Sequence, residues 1–214
     1  MKITILSDSE NHPVNRWLIK WQEKHKNKHE IVICRKKEDL VSGDLLFLIS
    51  CSVLIPAEER RKYKKTLVIH ASDLPLGRGW NPHVWSIING ADQITLSLLE
   101  AEDLFDSGAI WKKLHISVPP TALYDEINQI LFDAEMDLMD FAVEHFEAVK
   151  PYQQNADIAP TYCPKRYPSD SEVDIHKSLN EQFNLVRVCD PERFPAFFYK
   201  DGRKFILRIE AVDD

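Results

Sequence analysis

The chain has 214 residues, 44% of them hydrophobic and 29% charged, and its 27 basic and 34 acidic residues give a formal net charge of −7. That length and apolar share support one large domain, or one with a small appendage, and exclude a disordered or fibrous chain. The acidic balance argues against a broad nucleic-acid surface, because affinity for a phosphate backbone comes mainly from cationic neutralisation, so a small ligand is the expected partner.

No apolar run approaches the ~18 residues of a membrane helix, and the apolar stretch in "MKITILSDSE" is too short for a secretory core, so a cytoplasmic protein with no membrane contact is expected. Cys34, Cys51, Cys163 and Cys189 lie far apart with no C-x-x-C pair, which points to reduced thiols and to no metal site. In chain order, "KITIL" reads as a strand and "NRWLIKWQEKHK" as an amphipathic helix with Trp17, Leu18 and Trp21 inward. "EIVICR", "DLLFLIS" and "LVIHAS" are nearly unbroken apolar runs, the pattern of parallel strands buried on both faces. Between the last two, "PAEERRKY" has proline first, acids early and bases late, the polarity of a short helix. "NPHVWSIING" offers Asn81 as an N-cap, Pro82 at the first helical position and Gly90 as a stop, and "QITLSLLEA" and "AIWKKLHIS" are further strands.

A long helix is expected from Thr121 to about Val149, carrying Ile127, Leu131, Leu138 and Phe141 at helical spacing. "KPYQQNADIAP" is polar and bracketed by prolines, so it reads as a linker, after which Ser178 and Glu181 form a capping box and Asp201-Gly202 joins two β-rich runs. The expected fold is therefore α/β: a Rossmann-like, mostly parallel sheet with flanking helices in residues 1–150, and a small C-terminal helix plus β-hairpin appendage in residues 151–214.

Chemistry concentrates in "VIHASDLPLGRGWNPHVWSIINGADQITLSLLEAEDLFDSG". His70 ends a buried strand, where open α/β sheets place ligand chemistry, and Asp106 in a second loop could orient its imidazole and stabilise the protonated form. Other histidines have plainer readings: His25 and His29 as solvated side chains among lysines, and His83 as undecided on a helix whose Trp85 is core. Asp73 reads as a surface charge or cap, and "EERRKYKK" as a charged helix face.

The residues His70, Ser72, Leu74, Pro75, Gly79, Pro82, Trp85, Asn89, Gly90, Asp106 and Gly108, with the block "YCPKRYPSDSEVDIHKSLNEQFNLVRVCDPERFPAFFYKDGRKFIL", resemble the 10-formyltetrahydrofolate-dependent formyltransferase family. The resemblance implies that an acceptor amine attacks the formyl carbon of 10-formyltetrahydrofolate through a tetrahedral oxyanion, with His70 as base or oxyanion partner and Asp106 as its orienter. It implies no metal, and a folate pocket read largely through backbone groups at Ser52, Leu54, Ile55 and Asp103. On the acceptor side it implies Ser72, Gly79, Trp80, Lys165 and Arg166, the last two being either surface charges or diphosphate ligands. One position departs from the family pattern: Val68 stands where an oxyanion-donating asparagine is usual, and Asn81 is the candidate replacement donor.

Three acceptors compete. Methionyl-tRNA formyltransferases carry a long C-terminal barrel and a basic surface, for which this chain reads as too short and too acidic. Glycinamide ribonucleotide formyltransferases open with a glycine-rich phosphate loop, whereas this chain has "SDSENHP". The expected acceptor is a nucleotide-linked amino sugar, such as a UDP-4-amino-4,6-dideoxy sugar of nonulosonic (pseudaminic-type) acid synthesis, with a non-catalytic folate- or nucleotide-sugar-binding module as the opposing reading. The aromatic "RFPAFFYK" hairpin is a plausible homodimer edge.

Overall fold

Apolar runs fill the middle of a six-stranded sheet of order β2-β1-β3-β4-β6-β7, in a computed structural model that describes residues 1–212. Residues 213 and 214, the end of the expected appendage, lie outside the described residues. β1 (Lys2–Leu6), β2 (Glu30–Cys34), β3 (Gly43–Leu48) and β4 (Tyr63–His70) pair in parallel, while β6 (Gln93–Glu100) and β7 (Ile110–Ser117) add antiparallel strands to β4's free side. Ile3, Ile5, Leu45, Phe47 and Leu67 are fully buried, as both-face burial of central strands requires. β2 is the exception: it is the sheet's edge and alternates, with Glu30 and Val32 exposed, so its apolar run is that of a half-covered strand.

α1 (Asn15–His25) buries Leu18 and Trp21 and lies beside α4 (Tyr124–Glu144). Trp17 Nε1 donates to Asp133 at 2.7 Å and Trp21 Nε1 to Asp140 at 2.6 Å, so the half-buried ring of Trp17 and the buried ring of Trp21 both keep their polar edges satisfied. His25 is packed here too, 2.8 Å from Asp140 and against Trp21, and His29 Nδ1 meets the N-terminal amine, so neither is the freely solvated side chain expected. α4 is shorter than the 121–149 segment; the Leu123 amide donates to Glu126 at its start, and after Glu144 the chain passes through turns. Its buried face (Ile127, Leu131, Phe132, Leu138, Met139) closes the core against β6 and β7. α2 (Ala57–Arg60) is a single turn, and α3 (Pro82–Ile88) follows a two-residue strand, β5 (Arg78–Gly79).

The polar segment after α4 is not a free linker. Tyr152 bridges back to Ile110 on β7 through both backbone bonds (2.8 and 3.0 Å), and β8 (Tyr162–Cys163) pairs with β5. α5 (Leu179–Arg187) starts at the expected Ser178–Glu181 box, and β9 (Ala196–Lys200) and β10 (Arg203–Leu207) turn at Asp201-Gly202. These elements have their own small core of Val173, Val186, Cys189 and Ala196. They are tied to the start of α4 and to the β1–α1 loop: Arg187 Nη1 donates to the Pro119 and Ala122 carbonyls, and Arg193, held by Asp190, bonds Tyr124 and the Asn11 carbonyl.

Candidate active site

The strand order reverses between β1 and β3, so the crevice beyond their carboxyl ends is where an open α/β sheet receives ligands. Ser7 and Asp8 leave β1 there, residues 49–56 leave β3, and His70 ends β4. Cys51, Val68 and Ala101 pack on one apolar cluster, which brings the expected folate loops next to the strand that carries His70.

His70 is 8% exposed and both its ring nitrogens face acceptors. Nε2 lies 2.8 Å from the Gly77 carbonyl, and Nδ1 lies 3.4 Å from Asp106 Oδ1, an ion-pair contact slightly longer than a good hydrogen bond. Only an imidazolium donates to both at once; a neutral ring serves one of them. Asp106 reaches His70 from the loop after β6, at a positive φ of 56°, and its Oδ2 accepts the Gly79 amide at 2.9 Å. Two glycines permit this approach: a Cβ on Gly108 would sit 1.8 Å from the Glu100 carbonyl oxygen, and one on Gly79, at φ 97°, would sit 2.6 Å from that of Cys163. The expected His–Asp pair is thus assembled, and the glycine turn between them in sequence supplies a partner to each.

The other expected residues fall in two groups. Ser72 is buried beside Gly77 with no partner for its hydroxyl among the described residues, and its carbonyl accepts from Ser97 Oγ at 2.7 Å. Trp80 is 41% exposed with Lys165 Nζ 4.7 Å over its ring. Arg166 lies 5.8 Å from the Trp85 ring and donates to the Asp170 carbonyl, so only part of its fork is free. Trp85 itself is half-buried and donates to the Pro164 carbonyl, tying α3 to this segment rather than filling the core. On the folate side, Ser52 donates twice to Asp8, and Leu54 is 44% exposed. Ile55 has its side chain in the core and its carbonyl occupied by Arg60, whose other Nη pairs with Asp103 at 2.7 Å, joining the two loops.

His83, undecided from sequence, is an interior group: burial first, then neighbouring His70 and His12, pushes it down to about 4, which keeps it neutral beside the site at pH 7. Sequence reasoning missed Gly77, whose carbonyl takes His70, and Gln154, which bonds the Asp106 and Gly108 carbonyls from inside the polar "linker". Neither carries a signal in residue type alone. Among the described residues no cluster of three or more His, Cys, Asp or Glu side chains is arranged to hold a metal, and no helix is long and apolar enough to cross a membrane.

Asn81 precedes α3 as expected, yet its side chain makes no capping bond, and the backbone there is left-handed (φ 46°, ψ 49°). Its amide is therefore free, and Asn81→Gly removes it without straining that conformation. If Asn81 supplies the oxyanion donor missing at Val68, Asn81→Gly lowers turnover by roughly 100- to 1000-fold with an unchanged melting temperature. In that variant Val68→Asn, on the same strand face as His70, restores turnover by putting the donor back on β4. Unchanged turnover in Asn81→Gly removes this residue from the reaction.

A His–Asp pair thus lies at the carboxyl edge of an open α/β sheet, beside the β5–β8 pairing and its Trp80–Lys165 contact, which is where α/β folds of this class place ligand chemistry. The family model described as formyl transferase matches residues 7–143, and the chain belongs to that family. Among curated proteins it is 24% identical over 181 residues to the methionyl-tRNA formyltransferase of Thermodesulfovibrio yellowstonii, an alignment covering 83% of this chain and 58% of that one; the chain spans about half the length of the curated relatives it matches. Three solved structures share the fold. A methionyl-tRNA formyltransferase from Clostridium thermocellum has a TM-score of 0.83 at 20% identity, covering 100% of this chain and 94% of that one. HypX from Aquifex aeolicus in complex with tetrahydrofolic acid has 0.77 at 24%, covering 97% and 37%. A sugar N-formyltransferase from a Shewanella species has 0.72 at 18%, covering 100% and 99%.

Proposed function

We propose that the chain transfers a formyl group from 10-formyltetrahydrofolate to the amine of a nucleotide-linked amino sugar, in the cytoplasm. The observation that carries this reading is the His70–Asp106 pair beside the exposed Trp80–Lys165 stack. The acceptor nitrogen attacks the formyl carbon, the resulting tetrahedral oxyanion collapses by breaking the bond to the folate nitrogen, and the amine proton ends on that leaving nitrogen. His70 relays this proton or donates to the oxyanion; for either role the formyl group takes the place that the Gly77 carbonyl occupies at Nε2. Asp106 holds the ring and offsets its charge, and the unpartnered Ser72 hydroxyl offers one further bond to substrate.

Folate is assigned to the two loops that carry Ser52, Leu54, Ile55 and Asp103, which Arg60 joins; a solved structure of the same fold, HypX, binds tetrahydrofolic acid. The acceptor is assigned to the opposite side, where Gly79 and Trp80 pair with the strand leading to Lys165 and Arg166: an aromatic face for a base and two cations for a diphosphate. In this division residues 1–150 carry the transfer chemistry and residues 151–214 close the acceptor side. The exposed edge of β10, with stacked Phe198 and Phe205 beside exposed Tyr199 and Ile206, supports a homodimer. A weakly active or binding-only homologue is the second reading, favoured by Val68, which packs among apolar side chains and donates nothing.

An acceptor panel tests the assignment. With 10-formyltetrahydrofolate present, an N-formyl product is expected on UDP- or dTDP-linked 4-amino-4,6-dideoxy sugars and on neither methionyl-tRNA nor glycinamide ribonucleotide. Comparable turnover on charged tRNA overturns the choice of acceptor while leaving the transfer chemistry standing.

A further inference from the structure

We infer that Gln154 is a positioning residue for the transfer reaction: it clamps the Asp106 loop onto β5 and so fixes the carboxylate that faces His70. The segment around it is solvent-exposed, yet Gln154 itself is half-buried between exposed Gln153 and Asn155. Its Nε2 donates to the Asp106 carbonyl at 2.8 Å and to the Gly108 carbonyl at 3.1 Å, and its Oε1 accepts from Arg78 Nη2 at 2.7 Å. A guanidinium only donates, so Arg78 fixes which end of the amide faces it and leaves the NH2 group aimed at the two carbonyls. Both amide protons of this side chain thus go to the backbone of the Asp106 loop, and its oxygen takes the Arg78 side chain from β5.

Those stretches need holding. Asp106 is a non-glycine residue at φ 56°, a conformation with a steric cost that persists only where neighbours enforce it. Its side chain depends on that backbone, with Oδ2 on the Gly79 amide at 2.9 Å and Oδ1 3.4 Å from His70 Nδ1. Gly79 lies next to Arg78, so the clamp closes a loop: Arg78 to Gln154, Gln154 to the Asp106 backbone, the Asp106 side chain back to Gly79. Without the Gln154 amide the Asp106 carbonyl loses this donor, and the carboxylate loses the restraint that sets its distance from the imidazole.

The kinetic arm of this inference rests on the proposed transfer reaction, but the geometric arm does not. The Gly79 amide points at Asp106, whereas the flanking Arg78 and Trp80 amides bond the Thr161 and Cys163 carbonyls at 2.9 and 3.0 Å. Amide hydrogen exchange therefore reads the clamp and the strand pairing separately. In Gln154→Ala, exchange at Gly79 is expected to rise about tenfold or more, with Arg78 and Trp80 still protected. Gln154→Glu is expected to behave the same, because its carboxylate keeps the Arg78 contact and faces the two carbonyls without a proton. Kinetically, Gln154→Ala lowers kcat by up to roughly 100-fold with KM for folate unchanged. Added to Asp106→Asn it costs little more, since both changes act through one group. Retained Gly79 protection, equal loss at Arg78 and Trp80, or multiplying kinetic effects in the double variant would each overturn the inference. An inactive parent chain would defeat the proposed reaction, with the exchange result still deciding the clamp.

Discussion

Asp106→Asn and His70→Gln each lower formyl transfer by about 100- to 10,000-fold while leaving the fold intact. The asparagine keeps the shape of the carboxylate and its bond from the Gly79 amide, but presents no negative charge to His70 Nδ1. The glutamine retains a donor for the Gly77 carbonyl and loses the proton-carrying ring. Both native side chains are only 9% exposed, so alanine at either place leaves a cavity or an orphaned amide and confuses stability with chemistry. The near-isosteric pair avoids that. Thermal melts within a few degrees of the parent, together with the loss of turnover, are the expected result; full activity in either variant removes the pair from the mechanism.

The largest effect on stability is expected away from the site. Glu135 lies on the buried face of α4, its Oε2 has no partner among the described residues, and burial pushes its carboxyl up to about 8 from 4.5. Its folded form therefore holds a proton that the unfolded chain releases near pH 4.5. As pH rises from about 4.5 to about 8 the unfolded state is favoured progressively, and above that window the penalty is constant. At pH 7 the penalty is on the order of 3 kcal/mol, a large fraction of a typical domain's stability. Glu135→Met, a good helix former of similar length, removes it. Urea unfolding at pH 5 and pH 8 should show the variant more stable than the parent at both, with the larger gain at pH 8. A gain independent of pH contradicts the buried-carboxyl account.

Much of this fold is written in local pattern. The Ser178–Glu181 box, the Asp201-Gly202 turn and the central apolar runs all formed as their chemistry dictates, because each depends on neighbours a few residues away. Direction and position in a sheet are not local. Nothing in "QITLSLLE" says that β6 runs antiparallel to β4, and nothing in "EIVIC" marks it as an edge rather than a centre. The site divides the same way. His70 and Asp106 were legible because charged or ring side chains at strand ends advertise chemistry, and a family pattern surrounds them. The Gly77 carbonyl and the Gln154 amide were not, since a backbone carbonyl has no letter and one glutamine in "KPYQQNADIAP" resembles any surface glutamine. Asn81 occupies the expected cap position, but a left-handed backbone turns its side chain away from the helix amides, which only the dihedral angles reveal.

The central claim is that a formyl group passes directly from folate to an amino-sugar nucleotide, with His70, held by Asp106, relaying the amine proton or donating to the oxyanion. It is tested most directly by following tetrahydrofolate release from 10-formyltetrahydrofolate with and without a UDP-linked 4-amino-4,6-dideoxy sugar, in the parent chain and in His70→Gln. The account predicts release that requires the acceptor, matches the N-formyl sugar formed mole for mole, and disappears in the variant; release that ignores the acceptor, or survives undiminished in His70→Gln, would contradict it.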